Sequence, residues 1–122
     1  MAITLTTPVS RLVGVVSHEP VNLGNIVTTV TFDASAGNVF KATATGAVTV
    51  GAPTGMREGQ HITVIITAGA GGSHAVTWDA AWDWGSGTAP DTSATAAGTW
   101  ICVSGYSDGT TISMGGKDGF GA

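Results

Sequence analysis

The stretch 59–90 constrains the fold of this chain more than any other. Residues 62–67 read Ile-Thr-Val-Ile-Ile-Thr, and side chains two apart in a strand lie on the same face, so one face of the stretch is apolar. A glycine-rich turn follows at 68–73, and 75–78 (Ala-Val-Thr-Trp) resumes the extended pattern. The stretch therefore predicts a β-hairpin, which ends in a tryptophan-rich loop at 82–87.

Short alternating runs broken by glycine recur along the rest of the chain, and no segment has the length or periodicity of an ordinary helix. An Asp-Gly pair at 108–109, between extended runs at 99–106 and 110–114, is typical of a hairpin turn. We predict an all-β fold, an antiparallel β-sandwich or jelly roll of about eight short strands. Its expected interior is Val30, Phe32, Phe40, Val48, Val50, Ile62, Val64, Ile66, Val76, Trp78 and Ile101.

Three regions are expected within the 122 residues. Residues 1–20, where Pro8 and Pro20 favour extended conformations, are either an arm that leaves the domain or an edge strand of the sandwich. Residues 21–114 form the sandwich itself. Residues 115–122 hold glycine at four of eight positions, which predicts a flexible tail.

Charge and cysteine content exclude several functions. The chain has 4 Lys and Arg against 8 Asp and Glu, a net charge of −4, so it lacks the basic surface that nucleic acids or anionic membranes require. No apolar run approaches the ~20 residues of a spanning helix, and no secretory signal is recognised. The single cysteine, Cys102, cannot form an internal disulfide, and this favours synthesis in a reducing compartment such as the cytoplasm.

No catalytic or metal-binding pattern is present. The histidines at 18, 61 and 74 have no ligand spacing, although His61 and His74 could meet across the central hairpin. Asp79, Asp83 and Asp91 surround the tryptophan-rich loop without the order of a calcium-binding loop. We therefore expect no metal, no cofactor and no enzymatic activity.

Four tryptophans in so small a chain are the more informative signal. Trp78 and Trp100 lie in strand patterns and are expected in the core. Trp82 and Trp84 lie two apart and share a side if the segment is extended. They either close one end of the sandwich or, together with Asp83, form an exposed contact for a neighbouring subunit or a sugar ring.

Turn and core residues spread over 26–114 resemble a module of tailed-bacteriophage virion proteins. The residues that carry the resemblance are Asp33, Gly37-Asn38-Val39-Phe40, Thr45-Gly46, Val48-Thr49-Val50, Pro53-Thr54, Gly59-Gln60, Gly71-Gly72, Val76-Thr77-Trp78, Trp84, Gly87-Thr88-Ala89-Pro90 and Asp108-Gly109-Thr110. The module is found in capsid decoration (cement) proteins, head fibres and tail-fibre segments. This chain departs from it at 111–113, Thr-Ile-Ser, where the family tends to have an aromatic pair.

The resemblance implies an all-β homotrimer on the virion. The first hypothesis is a decoration protein on the capsid surface, which binds the major capsid protein and stabilises the shell. Its capsid contacts are then expected in the N-terminal arm, at Leu5, Arg11, Leu12, Val13 and Val15. The alternative is a tail-fibre or head-fibre module that contacts a host receptor or glycan through the loop of Trp82, Asp83 and Trp84.

Overall fold

The computed structural model describes residues 19–91 and 96–120, and within them the chain forms strands and turns, with no helix. The strands are β1 (Val21–Ile26), β2 (Thr29–Val30), β3 (Val39–Ala44), β4 (Val48–Val50), β5 (Glu58–Ala68), β6 (Val76–Trp78), β7 (Trp82–Asp83), β8 (Trp100–Asp108) and β9 (Ile112–Phe120). They build a six-stranded sheet in the order β1-β3-β5-β8-β9-β7 and a three-stranded sheet in the order β2-β4-β6. The prediction of an all-β fold of short strands is confirmed.

The first six strands wind as three coils, each made of one strand in the larger sheet and the next strand in the smaller sheet. Corresponding strands of successive coils pair in parallel, β1 with β3 and β3 with β5 on one side, β2 with β4 and β4 with β6 on the other. This is the arrangement of a short β-solenoid, in which a coil buries its apolar face by stacking on its neighbours.

The register between coils places apolar side chains above one another. In the larger sheet Val21 aligns with Phe40, and Phe40 with Val64. In the smaller sheet Val30 aligns with Val50. Neighbouring strands lie about 4.8 Å apart, so inward side chains at aligned positions stack as continuous apolar columns between the two sheets.

An antiparallel hairpin continues the larger sheet beyond the coils. β8 pairs antiparallel with β5, so that Val64 aligns with Val103, and β9 returns antiparallel along β8. The turn between them uses Gly109 at φ 96°, a backbone conformation that favours glycine. The short strand β7 then lies parallel to the beginning of β9 and forms the edge of the sheet.

One apolar cluster fills the space between the sheets. It contains Val30, Phe32, Ala34, Phe40, Ala44, Val48, Val50, Ile62, Val64, Ile66, Val76, Trp82, Ile101, Val103 and Ile112. Every residue expected in the interior is buried except Trp78, which is half-buried and packs against the cluster. Trp100 was also expected in the core, but it is 38% exposed because its position in β8 places it on the outer face of the larger sheet.

The pairing of the strands differs from the antiparallel sandwich or jelly roll expected from the sequence, since the sheets are mixed and the coils pair in parallel. In particular, β5 and β6 do not form a hairpin but lie in different sheets. The glycine-rich turn between them carries the chain across the stack. There the carbonyl of Ala75 accepts a hydrogen bond of 2.8 Å from the N–H of Val48, in the preceding coil.

The predicted regions at the two ends of the chain can be compared with the described residues. The sequence predicts a flexible tail at 115–122, but β9 continues to Phe120, with Cys102 aligned to Lys117 and Trp100 to Phe120. Backbone pairing does not require side chains, so the glycines do not end the strand. The expected arm at 1–20 lies outside the described residues, except for the exposed Glu19 and Pro20.

The close approach of β8 and β9 gives a test of this pairing. A Cβ at Gly105 would overlap the backbone carbonyl oxygen of Ser113 and the sulfur of Met114, whereas a Cβ at Gly115 would meet nothing within 4 Å. Gly105→Ala should lower the free energy of unfolding by about 1–3 kcal/mol, because backbone must move to admit the methyl group. The measurement is urea-induced unfolding.

Gly115→Ala in the same strand pair is the matched control, since Gly115 does not require a positive φ. We expect it to be neutral or to stabilise the protein by about 0.4–1 kcal/mol. Equal losses of stability in both variants would contradict the β8–β9 register.

Candidate contact surface

The tryptophan-rich loop is shaped by a tight turn between the two sheets. β6 ends at Trp78 in the smaller sheet and β7 begins at Trp82 in the larger one. The carboxylate of Asp79 accepts a hydrogen bond of 2.9 Å from the N–H of Ala81, and its carbonyl accepts one of 3.0 Å from the N–H of Trp82. Aspartate favours such turns because its short side chain reaches the backbone two residues ahead.

The turn brings three indole rings together with the phenylalanines of the core. Trp78 lies 5.3 Å from Trp82 and 5.1 Å from Trp84, both edge to face. Trp82 in turn meets Phe32 edge to face at 6.1 Å, and Phe32 lies 5.0 Å from Phe40. Each such aromatic pair stabilises the fold by about 0.5–1.5 kcal/mol more than the burial of its surface area alone. These ring contacts therefore hold the tryptophan-rich loop against the core.

The indole N–H groups of the three tryptophans differ in their hydrogen-bond partners. Trp82 donates a hydrogen bond of 2.9 Å to the carbonyl of Gly51, which follows β4, so this side chain joins the larger sheet to the smaller one. Trp78 donates one of 2.9 Å to the carbonyl of Pro90 and fixes the loop that follows β7. The indole nitrogen of Trp84 is buried and has no hydrogen-bond partner among the described residues.

The structure separates the three residues expected in the exposed contact loop. Trp82 is only 2% exposed, so it is a core residue and cannot serve as an exposed contact. Asp83 is exposed, and its carboxylate accepts a hydrogen bond of 2.8 Å from the N–H of Gly85. Trp84 is half-buried. A contact role for Asp83 and Trp84 stays a prediction.

A second surface, which the sequence pattern did not single out, lies on the outer face of the larger sheet. Tyr106 is 45% exposed and packs edge to face on His61 at 6.0 Å. The half-buried Ile65 aligns with the half-buried Cys102, and Trp100 lies at the other end of β8. We call Ile65, Trp100, Cys102 and Tyr106 the outer apolar strip. The sequence shows that these residues alternate with the core residues along β5 and β8. Because both faces of these strands carry apolar side chains, the sequence does not show which face is exposed to solvent.

The other candidate polar residues hold turns and do not converge. His61 pairs with Tyr106 near the start of β5, while a ring nitrogen of His74 lies 3.0 Å from the carbonyl oxygen of Ala70, beyond the end of that strand. The two histidines therefore do not meet across a hairpin. The carboxylate of Asp91 accepts a hydrogen bond of 2.7 Å from the N–H of Val76. Among the described residues, no group of histidine, cysteine or carboxylate side chains could hold a metal ion.

Two exposed carboxylates have a lowered pKa because the turns donate to them. The Ser35 hydroxyl donates to Asp33 over 2.6 Å and its N–H over 3.0 Å, and these bonds hold the pKa of Asp33 below its ordinary value. The N–H groups of Thr111 and Thr110, at 2.7 and 2.8 Å, together with the Thr111 hydroxyl, lower the pKa of Asp108 in the β8–β9 turn. Both carboxylates therefore hold the turns in which they lie.

The residues expected to contact the capsid, Leu5, Arg11, Leu12, Val13 and Val15, lie outside the described residues. Their role stays a prediction.

Comparison with known families gives the class of protein. Residues 26–103 match the family described as "Putative phage tail fibre C-terminal domain", and the match covers more than half of the 122 residues. The chain belongs to this family. Among the curated proteins and the solved structures, no match was found.

Membership of this family makes the chain a bacteriophage structural protein and a component of the virion, as its resemblance to virion modules implied. Of the two hypotheses drawn from the sequence, the match supports the tail-fibre alternative better than the capsid decoration protein. In the part of the chain that the structure describes, no helix has the length and hydropathy needed to span a bilayer.

The burial of the tryptophan-rich loop gives a second test. Trp82→Ala removes a fully packed ring and the hydrogen bond that joins the two sheets, so the free energy of unfolding should fall by about 3–5 kcal/mol. Asp83→Ala, next in the chain, removes one exposed hydrogen bond and should cost about 1 kcal/mol or less. Chemical denaturation of both variants measures the difference. Comparable costs would show that Trp82 is not a core residue.

The Asp108 turn predicts a pH dependence. Because its folded pKa lies below the unfolded value, ionised Asp108 stabilises the protein above the ordinary aspartate pKa of about 3.9. That stability is lost as the pH falls through the lower folded pKa. Asp108→Asn should therefore melt below the wild type at about pH 6, and the gap should narrow as the pH falls below the ordinary aspartate pKa.

Asp33→Asn should behave in the same way, since hydrogen bonds also lower the pKa of Asp33. Melting temperatures across the acid range check both variants. A gap that is constant with pH would mean that the charge of these side chains does not stabilise the turns.

Proposed function

We propose that this chain is a structural domain of a bacteriophage tail fibre. The single observation that carries the proposal is the family match, which runs from the end of β1 into β8 and so covers the coils and the strand that follows them. Stacked coils and a closing hairpin, with an apolar core between two sheets, suit a rigid element in a fibre.

The described surface suits a domain that works in an assembly. Trp100 and Tyr106 expose 38% and 45% of their surface on the outer face, beside the half-buried Ile65 and Cys102. Exposed aromatic residues on one face of a sheet favour burial against another protein. The homotrimer implied by the resemblance is our proposal for that assembly.

Receptor or glycan contact belongs to the same tail-fibre proposal. The tryptophan-rich loop is expected to make this contact. In it Asp83 and the outer part of Trp84 are accessible to solvent, while Trp82 is in the core. Binding to the major capsid protein has no support among the described residues, because the arm expected to mediate it lies outside them.

Location on the particle tests the proposal most simply. Antibody raised against the purified chain, detected with gold in negative-stain micrographs of intact phage, should label the fibres at the tail. Antibody preabsorbed with the chain is the control for specificity. Label distributed over the capsid shell would overturn the proposal and restore the decoration protein as the better hypothesis.

A further inference from the structure

The strand register places Lys41 and Asp83 on the same outer face of the larger sheet. Lys41 in β3 aligns with Ile65 in β5, which in turn aligns with Cys102 in β8. Four residues earlier in β5, a second row crosses the sheet through His61, Tyr106, Ser113 and Asp83. Side chains an even number of residues apart in a strand share a face, so both rows point outward. Asp83 therefore belongs to the same surface as the outer apolar strip.

The charges of Lys41 and Asp83 lie on opposite sides of this face, with an uncharged middle between them. Lys41 is exposed in β3, towards the β1 edge of the sheet, and Asp83 is exposed in β7, at the other edge. In the middle strands, residues 61–67 of β5 and 100–106 of β8 include no lysine, arginine, aspartate or glutamate. Protein–protein interfaces are typically depleted of charge at the centre and polar at the rim.

Exposed aromatic side chains occupy the uncharged middle. Trp100 and Tyr106 are exposed on β8, and the half-buried Ile65 and Cys102 lie in the row between them. Tyrosine and tryptophan are enriched at interfaces because each buries a large area and still offers a polar group. Burial of this centre would stabilise an association, and the charges at the two sides would set its orientation.

We propose that copies of this chain pack against one another through this outer face, with Lys41 of one copy beside Asp83 of the next. In a ring of identical chains, each copy presents one side to the copy before it and the opposite side to the copy after it. A cation on one side and a carboxylate on the other therefore attract at every contact of the ring. This complementarity within one face is the reason to assign it to a second copy.

The inference rests on the homotrimer proposed above and names the surface that would form it. Because Lys41 and Asp83 lie in different rows, the strands would cross the axis of the ring at an angle.

The oligomeric state of the full chain tests the proposal. Sedimentation at micromolar concentration should show an oligomer, and Tyr106→Lys should raise its dissociation constant at least about tenfold, because a charge then lies in the apolar centre. Thr49→Lys adds the same charge to an exposed position of the smaller sheet and should leave the dissociation constant unchanged. An unaltered chain that stays monomeric, or equal effects of the two substitutions, would overturn the proposal.

Exchange of the two charges tests the pairing of Lys41 with Asp83. Lys41→Glu alone and Asp83→Lys alone each bring like charges together and should raise the dissociation constant about threefold or more. The double variant restores an opposite pair, so its dissociation constant should return close to that of the unaltered chain. A double variant that associates no better than the single variants would contradict the proposal.

Alkylation of Cys102 tests the same face without any substitution. Cys102 is the single cysteine of the chain and is half-buried. Since the reactivity of a thiol follows its exposure, alkylation should be at least about fivefold slower in the oligomer than in the diluted monomer. A chain that forms oligomers but is alkylated at a rate independent of concentration would use another surface, which overturns the proposal. None of these outcomes changes the gold labelling expected at the tail, so the two proposals fail separately.

Discussion

The stacking of aligned apolar side chains between successive coils is the constraint on which the rest of this structure depends. Val21, Phe40, Val64 and Val103 occupy aligned positions in four neighbouring strands, three of them parallel. No coil could bury its inward face alone, so each is stable only when its neighbour holds the same register. A slip of one residue would turn the apolar face of a whole strand to solvent.

On one side of the stack, the hairpin of β8 and β9 covers the last coil. β8 and β9 extend the larger sheet with antiparallel strands, and β7 covers the beginning of β9. Trp82 then joins the two sheets, since its ring lies in the core and its N–H reaches the carbonyl of Gly51. At the opposite end, among the described residues, β1 and β2 of the first coil are the edge strands of the two sheets.

Sequence reasoning predicted the inward residues well and the pairing poorly, for one physical reason. Alternation fixes which side chains point inward, and Ile62, Val64 and Ile66 are buried as it predicts. The same alternation is compatible with parallel and antiparallel neighbours. A glycine-rich turn likewise does not reveal whether the chain reverses within one sheet or crosses to another, as it does after β5. The burial of Trp82 and the exposure of Trp100 follow from those pairings. The local sequence pattern therefore does not show which of the two tryptophans is buried.

The parallel register of β3 and β5 is the central claim, and nuclear Overhauser contacts between backbone protons test it most directly. The structure predicts contacts between Lys41 and Ile65 and between Thr43 and Thr67, both at a constant separation of 24 residues. An antiparallel pair would instead bring Val39, at the start of β3, close to Ala68, at the end of β5. Contacts of that second kind, without the first, would contradict the stacked coils.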